Sequence, residues 1–237
     1  MDDRSMFRGP RTIDMSGDID QGLRAYMINV FNYMAIGLGI TGLVAFALAS
    51  SPEAMAAIWG SGLKWLVIFA PLIMVFFLSF KISSLSFPTA QMLFFAYAGL
   101  MGLSMSVIFM VFTGTSIARV FFITAAVFGS MSLYGYTTKR DLTGMGSFLF
   151  MGLIGIIIAS LVNMFLQSSA MQFVISVAGV LVFTGLTAYD VQEIKAMYYE
   201  LDESDIMAKK ALLGALRLYL DFINLFMSLL QLFGERR

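Results

Sequence analysis

The chain has no cysteine and no histidine. The first absence excludes disulfides, thiolate metal sites and thiol chemistry. The second removes the commonest general base and metal ligand. Charge is scarce as well: 13% of the 237 residues are charged, against about 25% in soluble domains. Basic and acidic residues balance to a net charge of zero, so nothing points to nucleic acid. There is no Walker loop, serine-hydrolase elbow or metalloprotease motif. No nucleophile is paired with a base, and an enzyme is not expected. Residues 1–24 lack the apolar core and small-residue site of a removable signal peptide.

Apolar sequence fills the space that charge leaves. The chain is 59% hydrophobic and its mean hydropathy is +0.85. Runs long enough to cross roughly 30 Å of hydrocarbon cover Tyr26–Ala49, Leu63–Phe80, Phe87–Phe112, Ile117–Tyr136, Ser147–Leu166, Met171–Tyr189 and Ala211–Phe233. They predict an all-α membrane protein, a bundle of seven transmembrane helices. A single domain over residues 25–237 follows a polar segment, 1–24. Ser51-Pro52-Glu53 starts a short interfacial helix that runs through Trp59. The 19 methionines and 23 phenylalanines read as packing and contact with the lipid bilayer, not as a cofactor site.

Basic residues orient the bundle. Arg4, Arg8, Arg11 and Arg24 share a side with Lys81, Lys139, Arg140, Lys195, Lys209 and Lys210. Lys64, Arg119, Arg236 and Arg237 fall on the other. The bias predicts a cytoplasmic N-terminus. Seven full spans put the C-terminus across the membrane; a re-entrant last segment would return it.

Two acids depart from the apolar pattern. Asp190 closes the sixth run, and Asp221 sits inside the seventh. A carboxylate at the centre of a bilayer costs about 2.5–3.5 kcal/mol on insertion scales. Counted from the cytoplasmic end, Asp221 lies roughly 15 Å deep and Asp190 about 5–8 Å, so neighbouring helices could pair them. Two desolvated carboxyl groups cannot cheaply both ionise, and a pair would titrate as one unit sharing a proton. Its oxygens suit a hard cation such as Ca²⁺, held transiently. The alternative is an interhelical hydrogen bond that only holds the bundle together. Arg217, one turn before Asp221, either neutralises it or snorkels to the interface. Asn224, Tyr189 and Tyr219 are candidate supporting donors. Glu200, Asp202, Glu203 and Asp205 read as a solvated loop.

Thr187-Ala188-Tyr189-Asp190 and Ala215-Leu216-Arg217-Leu218-Tyr219-Leu220-Asp221-Phe222-Ile223-Asn224-Leu225-Phe226 resemble the Bax inhibitor-1 (transmembrane Bax inhibitor motif) family. Gly135-Tyr136-Thr137-Thr138-Lys139-Arg140-Asp141-Leu142 resembles its bacterial branch. The resemblance covers residues 25–233. It implies a seven-helix bundle with the last helix at its centre and a pH-dependent Ca²⁺ leak governed by two aspartates, matched by Asp190 and Asp221; no cofactor is expected. In relatives an arginine near the end of the second span latches that pair. Here Lys81 is the nearest basic residue, and a lysine lacks the bidentate fork, so Lys81 and Arg217 compete as latch. Bacterial relatives are also implicated in modulating a membrane-bound ATP-dependent protease, which makes an interaction protein the rival reading. A proton-coupled transporter of a small solute is the third.

Overall fold

The computed structural model describes residues 15–237. Residues 1–14, with Arg4, Arg8 and Arg11 of the polar N-terminal segment, lie outside the described residues. The helices are α1 (Met15–Ala49), α2 (Pro52–Trp59), α3 (Leu63–Lys81), α4 (Phe87–Met105), α5 (Ile108–Val111), α6 (Gly114–Thr137), α7 (Thr143–Leu166), α8 (Ser169–Ala196) and α9 (Ser204–Phe233). Among the described residues there is no strand, and seven helical segments are long and apolar enough to cross a membrane, α4 and α5 counting as one.

Polar side chains punctuate these helices where the backbone needs partners. Ser51 caps α2 by accepting the Ala54 N–H, and Pro52 opens its first turn. Thr113 caps α6 and Ser168 caps α8 in the same way. Between α7 and α8, Gln167 takes a left-handed φ of 50°. Asn163 compensates for that turn: its carbonyl accepts the Gln167 N–H and its side-chain oxygen accepts the Ser168 N–H. Inside α3, Pro71 has no N–H to offer, which leaves the Val67 carbonyl without its helical donor. The Ser104 hydroxyl of α4 donates to that carbonyl. In hydrocarbon an orphan carbonyl costs several kcal/mol, so the proline in α3 and the serine in α4 are matched across the helix contact.

Three expectations shift. The third run is not one helix: it breaks at Ser106–Val107. There the Ser106 hydroxyl turns back to the Leu103 carbonyl and also accepts the Trp59 indole N–H. The sixth span runs on to Ala196, and the last begins at Ser204. The connection read as Asp190–Lys210 therefore shrinks to residues 197–203. At the other end, α1 starts at Met15, so the last part of the segment 1–24 is helical.

α9 is the most enclosed span. Two-thirds of its most apolar stretch (67%) is buried inside the protein, against 11–39% for the other spans. It packs on α8, α1, α6 and α4. α3 and α7 are outer helices, resting chiefly on α4 and α8. Their many exposed side chains, such as Phe80, Phe148 and Phe165, form an apolar surface suited to lipid. α9 runs the full length of the bundle, about 45 Å for its 30 residues. Its far end is pinned: Glu235 donates its N–H to Ser116 Oγ, the Thr113 N–H donates to the Glu235 carbonyl, and the Arg237 N–H donates to the Val111 carbonyl. Arg119 pairs with Glu235 at 3.2 Å. The last segment therefore crosses the bundle and does not return.

α6 and α8 meet through Gly135. A Cβ there would fall within 2.9 Å of the Ala188 Cα and carbonyl carbon, which backbone cannot yield. Gly135→Ala should cost about 1–3 kcal/mol, read as a lower midpoint of thermal unfolding in detergent. Gly155→Ala on α7, where nothing lies within 4 Å, should change stability by less than about 1 kcal/mol.

Candidate functional site

α8 and α9 are antiparallel neighbours joined by a short turn. Their register brings Ile194 against Gly214 and Gly179 against Ser228. Between those contacts, Asp190 and Asp221 face each other within hydrogen-bonding reach. Such a bond needs one proton between two carboxyl groups. Asp221 is 5% exposed. Its Oδ2 has no hydrogen-bond partner among the described residues.

A cavity of about 610 Å³ opens beside the pair. Asp190, Asp221, Arg217, Tyr189 and Asn224 line it, with Gly146 and Ser147 of α7 on the facing wall. The Tyr189 ring lies against Gly146, 2.5 Å from where a Cβ would be, so a larger residue would push this wall inward. Arg217 is near enough to act electrostatically on both carboxyl groups, yet it makes no ion pair within 4.0 Å among the described residues. Lys81 is exposed at the end of α3 and does not line the cavity.

The remaining candidates divide. Asn224 shares the cavity, but its amide donates to the Leu220 carbonyl of its own helix at 2.8 Å. Tyr219 is fully buried on a different face of α9, and its hydroxyl lies 2.7 Å from Thr41 Oγ1. Thr41 in turn lies 2.9 Å from the carbonyls of Gly37 and Ala98. This knot ties α9 to α1 and α4, so Tyr219 serves packing on the side away from the acids. Glu193, one turn beyond Asp190, was not among the expected residues; it acts electrostatically on Asp190. Its i,i+3 spacing was the available signal. Among the described residues no three acidic side chains gather to hold a metal ion.

The string Gly135–Leu142 ends α6 and forms the connection to α7. Gln192 of α8 grips it twice, accepting the Leu142 N–H and donating to the Arg140 carbonyl. Lys195 donates to the Tyr136 carbonyl at 2.9 Å and lies over the Tyr136 ring. Asp141 accepts hydrogen bonds from the Thr143 side chain and backbone, which hold its carboxylate below the usual range. The α8 segment just beyond Asp190 is thus fastened to its neighbours.

The family described as inhibitor of apoptosis-promoting Bax1 matches residues 23–237. The chain belongs to the Bax inhibitor-1 family. Among relatives of this family, the inner membrane protein YbhL of Escherichia coli is 49% identical over 219 residues, spanning 91% of this chain and 94% of its own length. The protein RP147 of Rickettsia prowazekii is 48% identical over 226 residues, 95% of this chain and 96% of its own. A membrane protein of Streptococcus pyogenes is 36% identical over 220 residues, 91% of this chain and 95% of its own.

The division of α9 into two polar faces is testable. Tyr219→Phe removes the bond to Thr41 and should cost about 0.5–1.5 kcal/mol, read as a lower unfolding midpoint. Because Tyr219 does not face the cavity, any pH dependence of ion flux should be unchanged in this variant.

Proposed function

We propose that this Bax inhibitor-1 family protein is a pH-sensitive cation leak of a bacterial inner membrane, with Ca²⁺ as the permeant ion and the Asp190–Asp221 pair as its gate. The observation that carries this reading is the pair itself, a buried Asp221 facing a half-buried Asp190 at the wall of a cavity. A carboxyl group enclosed by apolar helices is expensive. A second one beside it makes the charge state of the first depend on its neighbour. The E. coli relative is named an inner membrane protein, which supports that location. The balance of basic residues supports a cytoplasmic N-terminus.

The groups that face the pair are Arg217 on α9 and Glu193 and Tyr189 on α8. The α7 wall offers Gly146 and Ser147, neither of which titrates. Two closures follow from this set. In the first, one shared proton holds Asp190 to Asp221 and joins α8 to α9. Losing that proton leaves two like charges, which separation or an entering Ca²⁺ relieves; flux then rises with pH. In the second, Arg217 swings onto an ionised carboxylate, and protonation releases it; flux then falls with pH. Among the described residues Arg217 makes no ion pair, which favours the first. A transient Ca²⁺ site of two carboxylates suits a leak, since conduction needs binding weak enough to let the ion go.

Ca²⁺ flux into proteoliposomes, compared at pH 6 and pH 8, tests the proposal. We expect more flux at pH 8, with the difference abolished in Asp221→Asn, which keeps the volume and removes the titration. Equal flux at the two pH values in the parent protein would sink the reading. More flux at pH 6 would identify the Arg217 closure; Arg217→Ala would then raise the leak at pH 8, and Lys81→Ala, away from the cavity, would leave it unchanged.

A further inference from the structure

α1 and α6 both pack on α9 but scarcely touch each other. The gap between them holds two cavities of about 750 Å³ each, which share Ala35, Ala125 and Phe222. They form one fissure along the side of the bundle, with Phe222 of α9 as part of its floor. Its flanks are apolar and exposed: Ile28 and Leu133 near one end, Phe46 and Phe122 near the other. In a membrane those flanks meet acyl chains, so the fissure opens to lipid and not to water.

One half of the fissure is built with a polar end. Arg24 and Tyr136 stand at its mouth. Lys195 lies behind Tyr136, its Nζ 4.9 Å from the ring centre. From Ala35 to Arg24 the helix rises about 16 Å, close to half of the roughly 30 Å hydrocarbon core. Ser132 lines the same half, is 6% exposed, and its hydroxyl has no partner among the described residues. Its neighbours behave otherwise: Thr124, Ser130 and Thr137 on α6 all return their hydroxyls to the carbonyl one turn back. Ser132 therefore presents an unspent donor one turn, about 6 Å, inside the level of Tyr136. A basic mouth, a hydroxyl one turn deeper and an apolar slot one leaflet long follow the order of a phospholipid: phosphate, ester, acyl chain.

We propose that the α1–α6 fissure is a binding site for an anionic phospholipid, with the headgroup phosphate at Arg24, an ester carbonyl accepting from Ser132 and one acyl chain lying along Phe222. The site is separate from the aspartate cavity, and the proposal stands or falls without the leak. The purified full chain in detergent would be mixed with palmitoyl-oleoyl phosphatidylglycerol or the corresponding phosphatidylcholine and weighed by native mass spectrometry. We expect one bound lipid, with about a fivefold preference for phosphatidylglycerol, the factor one basic side chain contributes near an anionic headgroup. Arg24→Gln should remove the preference and keep the binding. Ser132→Ala should weaken both lipids alike. Ala125→Trp should plug the fissure and release the lipid, with circular dichroism checking its fold; if it unfolds, the two exchanges at Arg24 and Ser132 decide alone. Equal retention of the two lipids by the parent chain would overturn the proposal. So would a preference that survives Arg24→Gln, or a co-purifying polypeptide, instead of lipid, displaced by Ala125→Trp.

Discussion

An ionisable side chain in the middle of an apolar helix has to be enclosed by protein, and much of this bundle follows from enclosing Asp221. α9, which carries that group, packs on four other helices. The lipid-facing work falls to α3 and α7, which carry no comparable burden and expose most of their surface. Apolar helices have little hydrophobic reason to associate inside a bilayer, so polar contacts and close packing must join them. The molecule supplies both: hydroxyl-to-carbonyl bonds such as Ser104 to Val67, the Thr41–Tyr219 knot, and the glycine contact of α6 with α8.

The spans were legible because hydrocarbon imposes one requirement, a long apolar run, that hydropathy measures directly. The interfacial α2 was legible because Ser51-Pro52-Glu53 has a local capping chemistry. Interruptions were harder. The break at Ser106 depends on an indole from a distant helix, and the tolerance of Pro71 depends on Ser104. Neither partner can be chosen from the local string. The length of α8 was underestimated because Asp190 looked like a boundary; a carboxyl group with a facing partner does not need to be one.

The acid site divides the same way. Depth arguments put Asp190 and Asp221 at compatible levels, and the family resemblance singled them out. That Tyr219 would turn away was available from spacing alone, since residues two apart on a helix do not share a face. That Asn224 would bond its own backbone was not, because an amide one turn from both a carboxylate and a carbonyl has two reasonable acceptors. Lys81 competes as latch by its place in the chain, but its distance from the acids is set by the tilt and rotation of α3, which no local pattern encodes.

The contact between α1 and α9 joins the first of the described helices to the last. While the ribosome is still making α8, Thr41 has no tyrosine and Asp190 no opposite acid. Six spans must then wait in the bilayer with their polar groups turned toward an empty slot. Adjacent pairs such as α3 with α4 and α7 with α8 can assemble on the way, but closing the bundle needs the seventh span to slide between helices already inserted. The polar groups of the first six spans therefore stay without their partners until α9 enters the bundle.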